Sequence, residues 1–384
     1  MNLLPVAWTA GGLVAGAWLL FGLRPLHPLP KPKLARLGVH PTRQRANFGR
    51  GGVSVVIPAR DEARTLPALL GSLAALDPRP HEVIVVDDHS SDATAEVAVR
   101  FGATVVAAPP LPDGWLGKSW AAHVGAGAAT GDLLLFLDAD TWLSADALDH
   151  LAAAGPDGLL SVQPHHVTER AYEQASAFPN LVSMMGSGAF VAWPHTRRSA
   201  AFGPCLLTSR TDYERAGGHA AVRGEVVEDL HLARAYRAAG LPVRCRAGGE
   251  TVRFRMYPGG VRQLVEGWTK NLAAGAAGAS PVAVAGAVWW VAACCAVAVT
   301  GIAAGGAWIA GSGTVPLAPA VAWAVVALQV HWLLGRIGRF RAWTSVVFVL
   351  PLLAFVALFA VSLVRTVLHR PTSWRGRRID VGVR

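Results

Sequence analysis

Hydrophobic positions change their spacing along the chain, and each change marks a different kind of segment. Asn2 to Leu23 carries no charged side chain, and about 20 consecutive apolar residues are what a helix needs to cross a bilayer. No small-residue cleavage pattern follows before Arg24-Pro25-Leu26-His27-Pro28, so the run predicts a retained membrane anchor over residues 1–24. A basic, Pro-rich linker follows over 25–50.

From Gly51 the apolar runs shorten and alternate with helical spacing. Val53 to Ile57 is β-branched and ends at Pro58, and Leu66, Leu69, Leu70 and Leu73 then recur at helical intervals. Val83 to Val86 ends in Asp87 and Asp88, with Ser90, Ser91 and Asp92 opening a helix over Ala93 to Arg100. Thr104 to Val106 leads to a Pro-rich loop and Gly114-Trp115-Leu116-Gly117-Lys118; Leu133 to Leu137 is a fourth run, released at Asp138-Ala139-Asp140. Strands alternating with helices predict an α/β domain over 51–270, doubly wound around a mostly parallel sheet. Its later part, Gly224 to Gly240, opens with acids and continues as an amphipathic helix.

After Lys270 there is no Lys, Arg, Asp or Glu until Arg336. Residues 271–384 therefore predict a C-terminal membrane region, with spans near Pro281–Ile302, Leu317–Leu334 and Trp343–Val364. Pro351 leaves a broken or re-entrant third segment open. Three spans would put the Arg-rich tail outside, whereas two or four would keep it inside.

Composition agrees with a chain partly dissolved in lipid: 52% of its 384 residues are hydrophobic and 16% charged. The net charge of +10 invites a nucleic-acid partner, but its location argues otherwise. Arg24 to Arg50 holds seven Lys or Arg and no acid, and Arg365 to Arg384 holds six Arg against Asp380, which more than accounts for the excess. The basicity is juxtamembrane, and no nucleic-acid groove is expected. By the positive-inside rule the α/β domain is expected in the cytoplasm of a multi-pass protein of the cell membrane. Four cysteines, none in CxxC spacing, read as inert thiols.

The chemistry gathers at strand ends. Asp138 and Asp140 stand two apart after a buried strand, so both carboxylates can face one ligand. Hard oxygens there suit a divalent cation on a diphosphate, at the carboxyl edge where open α/β sheets hold ligands; a simple turn cap is the other reading. Arg60 and Glu62, then Asp87 and Asp88, stand at earlier strand ends, and Lys118 in a Gly-containing loop either reaches a phosphate or is merely solvated. His165, His166 and His219 read as ligands or as packing residues. Phe178 to Trp193, apolar and Met-containing, reads either as core or as a segment dipping into the membrane interface.

IPARDE, VVDDHSSDAT and FLDADT at these spacings resemble the family 2 glycosyltransferases of the GT-A fold, over roughly residues 53 to 270. The resemblance implies a nucleotide-sugar site formed by Pro58, Arg60, Glu62, Asp87, Asp88, Lys118 and Asp138, with Glu62 and Asp88 lining the nucleoside pocket. It implies that Asp138 and Asp140 engage Mg or Mn. Glu228 and Asp229 resemble the family's catalytic Glu-Asp pair, Asp229 serving as base on the acceptor in an inverting displacement. Trp268 and His219 are expected at the acceptor end. Many processive members carry a Gln-x-x-Arg-Trp signature; here Gly267 replaces the Arg, a departure that weakens a polysaccharide-synthase reading.

The stretches SVQPHHVTERAYEQASAFPNLV, FGPCLLTSRTDYERAGGH and FRMYPGGVRQLVEGWTKNLAAGA resemble the carotenoid-modifying branch of the family, which joins glucose from UDP-glucose to a carotenoid carboxylate. The expected partners are thus a UDP-sugar and a membrane lipid, a carotenoid acid or alcohol. Polyprenyl phosphate, hopanoid or another lipid acceptor, and a degenerate lipid-binding protein, are the alternatives.

Overall fold

The computed structural model describes residues 4–26, 51–155, 157–193, 200–225, 227–277, 279–367, 372–374 and 377–379. The expected basic linker beyond Leu26 and most of the arginine-rich tail lie outside these residues.

The short β-branched runs form the predicted strands: β1 (Val53–Ala59), β2 (Glu82–Asp87), β3 (Thr104–Ala107) and β4 (Leu133–Leu137). They pair in parallel in the order β3-β2-β1-β4. Helices α2 (Leu66–Ala74), α3 (Thr94–Arg100) and α4 (Gly117–Ala128) supply the crossovers. Alternation of side chains divides the strands between two layers. Val53, Val55, Ile57, Leu133, Leu135 and Leu137 face α2 and α3, while Val56, Leu134 and Phe136 face α4. Both faces are covered, which is why these strands read as continuous apolar runs. Gly125 lets α4 lie close on the sheet, since a Cβ there would stand 2.4 Å from a Val56 methyl. That approach aims the N-terminus of α4, with Lys118, at the carboxyl edge.

The chain continues through β5 (Thr141–Leu143), α5 (Ala147–Ala153), β6 (Leu159–Gln163), β7 (His165–Val167) and α6 (Ala177–Ser187) to β8 (Cys205–Ser209). Strand β8 runs antiparallel between β4 and β6, a departure from the parallel pattern. It enters at the carboxyl edge, with Cys205 opposite Leu137; this brings Pro204 beside Asp138, whose N–H donates to the Pro204 carbonyl at 3.0 Å. Then come α7 (Arg210–Arg215), α8 (Glu228–Ala238), β9 (Val243–Ala247), β10 (Val252–Phe254) and α9 (Val261–Ala277). Strand β9 closes the seven-stranded sheet, while β5, β7 and β10 begin a second one.

Helices α1 (Leu4–Phe21), α10 (Pro281–Ile309), α11 (Leu317–Ile337), α12 (Ala342–Val346) and α13 (Val349–Val367) are the apolar segments. Among the described residues, α10 and α11 are long and apolar enough to cross a membrane, and α1 and α13 are shorter apolar helices. The third expected span is broken at Val347–Phe348, ahead of Pro351, into α12 and α13. Half-buried Gln329 joins three helices, accepting from Trp290 Nε1 at 2.9 Å and donating to the Leu13 carbonyl at 2.6 Å. Such polar contacts help associate helices that gain nothing from expelling lipid. Main-chain contacts join this bundle to the α/β domain. Leu26 N–H donates to the Ala247 carbonyl at the end of β9, and β11 (Gly338–Arg339), which follows α11, adds to β7.

Candidate active site

The acidic strand ends converge on one cavity of about 1190 Å³, above the ordinary range for small-ligand sites. Pro58, Arg60, Glu62, Asp88, Lys118, Asp138, Asp140, Glu228, Asp229 and Trp268 all line it. Asp87 and His219 do not. Asp87 Oδ1 accepts from the Ser90 N–H at 3.3 Å and so caps the turn after β2. Arg60 bridges the first two strands, donating from Nη1 to the Asp88 carbonyl at 2.9 Å and standing 3.7 Å from its carboxylate. Glu62 is held by its own N–H donating to Thr94 Oγ1 at 2.8 Å and by the Thr65 hydroxyl donating to its carboxylate.

At the centre, Lys118 Nζ lies 2.8 Å from Asp138 Oδ1 and 3.1 Å from Glu228 Oε1. Burial alone would lower its affinity for a proton, but Asp138 and Glu228 outweigh burial and hold Lys118 well above the usual lysine range. Burial also opposes the charge on Glu228, and the Lys118 ammonium, with hydrogen bonds, reverses this and holds Glu228 below the usual range. At Asp140 and Asp229 Lys118 offsets the cost of burial only in part. Burial, then Asp138 and Glu62, push Asp140 up to about 7; burial and then Glu228 push Asp229 up to about 7. Asp229 nonetheless accepts two backbone hydrogen bonds, from Gly203 and Leu230, each at 2.8 Å. They fix its carboxylate at the start of α8.

Among the described residues no group of three His, Cys, Asp or Glu side chains forms a complete metal cage. Asp138 and Asp140 instead form a partial set of hard oxygen donors whose like charges crowd one another. That fits a divalent cation completed by diphosphate and water oxygens. Behind Asp140, its carbonyl accepts the Arg255 N–H at 3.3 Å, and the Arg255 guanidinium holds Glu173 at 2.7 and 3.0 Å. Gln174 then accepts from the Arg341 N–H at 3.1 Å and the Thr344 hydroxyl at 2.6 Å at the start of α12. The backbone of the acidic site is thereby tied to the apolar helices through contacts that short-range pattern does not reveal.

His219, expected at the acceptor end, is instead a core residue. It is buried behind Glu228, bonded through Nδ1 to the Tyr213 hydroxyl at 2.9 Å and set edge-on to Phe136; burial pushes it down to about 4. His166 is likewise buried, 2.6 Å from Asn180 Nδ2 and pushed by burial to about 3. Phe178, Met184 and Met185 are buried in a core cluster shared with the apolar helices, so most of the 178–193 stretch is core. Exposed Trp193 stands apart, edge-on to Trp18.

Trp268 is buried with Nε1 donating to Ser176 Oγ at 2.9 Å. Beside it lies Tyr257, a cavity-lining residue that the strand-end pattern does not reveal. Its φ of 57° is left-handed, and the following Pro258-Gly259-Gly260 turn is the available sequence signal. Its ring also accounts for Gly267: a Cβ at that position would stand 2.1 Å from Tyr257 Cε1. Tyr257 thus takes the space that a side chain at 267 would enter.

Comparison with known proteins bears on the family and the fold. The family model described as Glycosyl transferase family 2 matches residues 54–167. The 4,4'-diaponeurosporenoate glycosyltransferase of Staphylococcus aureus (strain USA300) is 40% identical over 252 residues, covering 64% of this chain and 67% of its own. Its counterpart from strain MRSA252 is 41% identical over the same shares. Among solved structures, the mannosyltransferase PcManGT from Pyrobaculum calidifontis, in complex with GDP-Man and Mn2+, matches 95% of this chain and 98% of its own, with a TM-score of 0.51 and 19% identity. That likeness concerns the fold alone. With the acidic strand ends gathered on a GT-A sheet and the curated relatives aligned over two thirds of their length, the chain belongs to the family 2 glycosyltransferases.

Proposed function

We propose that this glycosyltransferase moves glucose from UDP-glucose to the carboxylate or hydroxyl of a carotenoid held in the membrane, in a single inverting displacement. The observation that carries the reading is the shared ammonium of Lys118, which touches Asp138 on the donor side and Glu228, the neighbour of Asp229, on the acceptor side. Donor and acceptor groups therefore work within one cavity. The acceptor's identity follows the 40% identical relative, whose name states a carotenoid acid substrate.

In this reading Glu62 and Asp88 receive the nucleoside, and Asp138 and Asp140 hold Mg2+ or Mn2+. A divalent cation bound there would offset charge on the leaving diphosphate. Lys118 adds a second positive charge beside it. Asp229 takes the proton of a hydroxyl or protonated acid acceptor, whereas an ionised carboxylate brings none; in either case the acceptor oxygen bonds to the sugar's anomeric carbon, and the bond to the diphosphate breaks with its electron pair leaving on UDP. A base near pH 7 is well matched to this proton transfer, and Asp229 is raised to about that value. Helices α1, α10, α11 and α13 would seat the enzyme in the cell membrane with the catalytic domain on the cytoplasmic side.

The test is transfer of labelled sugar by membranes containing the protein, offered UDP-glucose or GDP-mannose and a carotenoid acid. Label from UDP-glucose in the carotenoid fraction, absent with Asp140→Ala and Asp229→Ala, is expected. Label in another lipid moves the acceptor, and label from GDP-mannose alone moves the donor.

A further inference from the structure

The cavity does not end at Asp229. It continues between α10 and α13, where Val288, Val291 and Cys295 form one wall and Val356, Phe359 and Ala360 the other. Among the described residues, no α10 or α13 side chain lining this arm is charged. The α10 liners recur at helical intervals from Val284 to Cys295, a path of about 16 Å at 1.5 Å per residue. Several of these side chains are also open to the outside: Val288 is 62% exposed and Val356 44%. Helix α10 packs closely along α1 but meets α13 only loosely. The arm is consequently a slot with an acidic inner end and an apolar mouth on the lipid-facing side.

We propose that this slot is the lateral entry path of the acceptor: one long uncharged hydrocarbon lies between α10 and α13 and presents its terminal oxygen to Asp229. The inference rests on the lipid-acceptor reading above and adds the route and the shape of the substrate. A hydrocarbon leaving lipid for an apolar slot gains little from the hydrophobic effect, because both surroundings are apolar. Selection must therefore come from the width of the slot and from pairing of the terminal polar group. A charged group lodged midway would have no partner on either membrane helix and would meet a desolvation penalty.

Ala360→Trp and Val288→Trp place an indole in the slot, and Leu353→Trp, on α13 but outside the lining, serves as control. The full chain is assayed in lipid nanodiscs for glucose transfer to a long polyene acid, with UDP affinity as the check on folding. Overpacking is expected to lower kcat/KM for the long acid by about ten- to a hundredfold in both slot variants. UDP affinity and the Leu353→Trp enzyme should stay at wild-type values. In the unmodified chain, the long acid should also protect Cys295 from a membrane-partitioning maleimide, read by peptide mass spectrometry. Undiminished transfer in both slot variants, or Cys295 that the acid does not protect, overturns the route. A wild-type enzyme that glycosylates no lipid overturns the proposed reaction, and Cys295 protection then still decides the slot.

Discussion

Asp229→Asn separates the catalytic role of this residue from its electrostatic cost. The two carboxylate oxygens accept the Gly203 and Leu230 N–H groups at 2.8 Å. Asparagine offers one acceptor oxygen, so one amide loses its partner, at about 1 kcal/mol. Against this stands the cost of ionising a carboxyl that burial and Glu228 push up to about 7. A shift of roughly three units corresponds to a ceiling of about 4 kcal/mol, and access to cavity water reduces it to about 2. The folded protein binds this proton more tightly than the unfolded chain does. The penalty therefore grows as pH rises from the ordinary carboxylate range and is complete above about 7.

The asparagine variant escapes that penalty, so its stability relative to wild type should improve by about 1–2 kcal/mol between about pH 5 and pH 8. Paired thermal unfolding curves at the two pH values measure this. Transfer at neutral pH should fall by roughly 10²- to 10⁴-fold with UDP affinity unchanged, as loss of a general base requires. A stability difference independent of pH would place Asp229 in the ordinary carboxylate range and refute the electrostatic argument. Undiminished transfer would remove it as the base.

Lys118→Met leaves Asp138, Glu228 and Asp229 crowded without their ammonium; calorimetry should show UDP-sugar binding weaker by at least about tenfold. Gly267→Ala drives a Cβ to 2.1 Å from Tyr257 and should cost about 1–3 kcal/mol in thermal unfolding, largely recovered in the double variant with Tyr257→Ala. Trp268→Phe removes the donor to Ser176 and should destabilise by about 1 kcal/mol. Chelation with EDTA should abolish transfer and Mn2+ or Mg2+ restore it; activity indifferent to EDTA would strip Asp138 and Asp140 of the metal role. Wild-type transfer should rise with pH through about 7, where Asp229 loses its proton.

Much of the acidic strand-end edge is legible in the sequence because it is local. Parallel strands covered on both faces read as unbroken apolar runs, and a run ending in Asp or Glu places that acid at the carboxyl edge. Val53 to Ile57, Val83 to Val86 and Leu133 to Leu137 carry this information within a few residues each, and the apolar segments announce themselves by length without charge. The break between α12 and α13 is less legible, because Pro351 draws attention to a point just beyond it.

The wall around Asp229 and Trp268 depends on residues far apart in the chain. His219 and Trp268 are equally suggestive polar aromatics in sequence, yet packing buries His219 behind Glu228 and sets Trp268 on the cavity wall. Gly267 reads as the loss of an arginine until the Tyr257 ring is found in its space. Glu228 and Asp229 are adjacent and chemically alike, but Lys118 outweighs the cost of burial at Glu228, whereas at Asp229 burial and Glu228 outweigh Lys118. The sequence by itself determined the alternating α/β domain, the apolar helices and the acids at the strand ends, because each follows from side-chain period and short-range chemistry. Only the tertiary structure decided which acids are raised toward neutrality and that the cavity continues between α10 and α13, because burial and charge proximity depend on distances between segments that the order of residues does not contain.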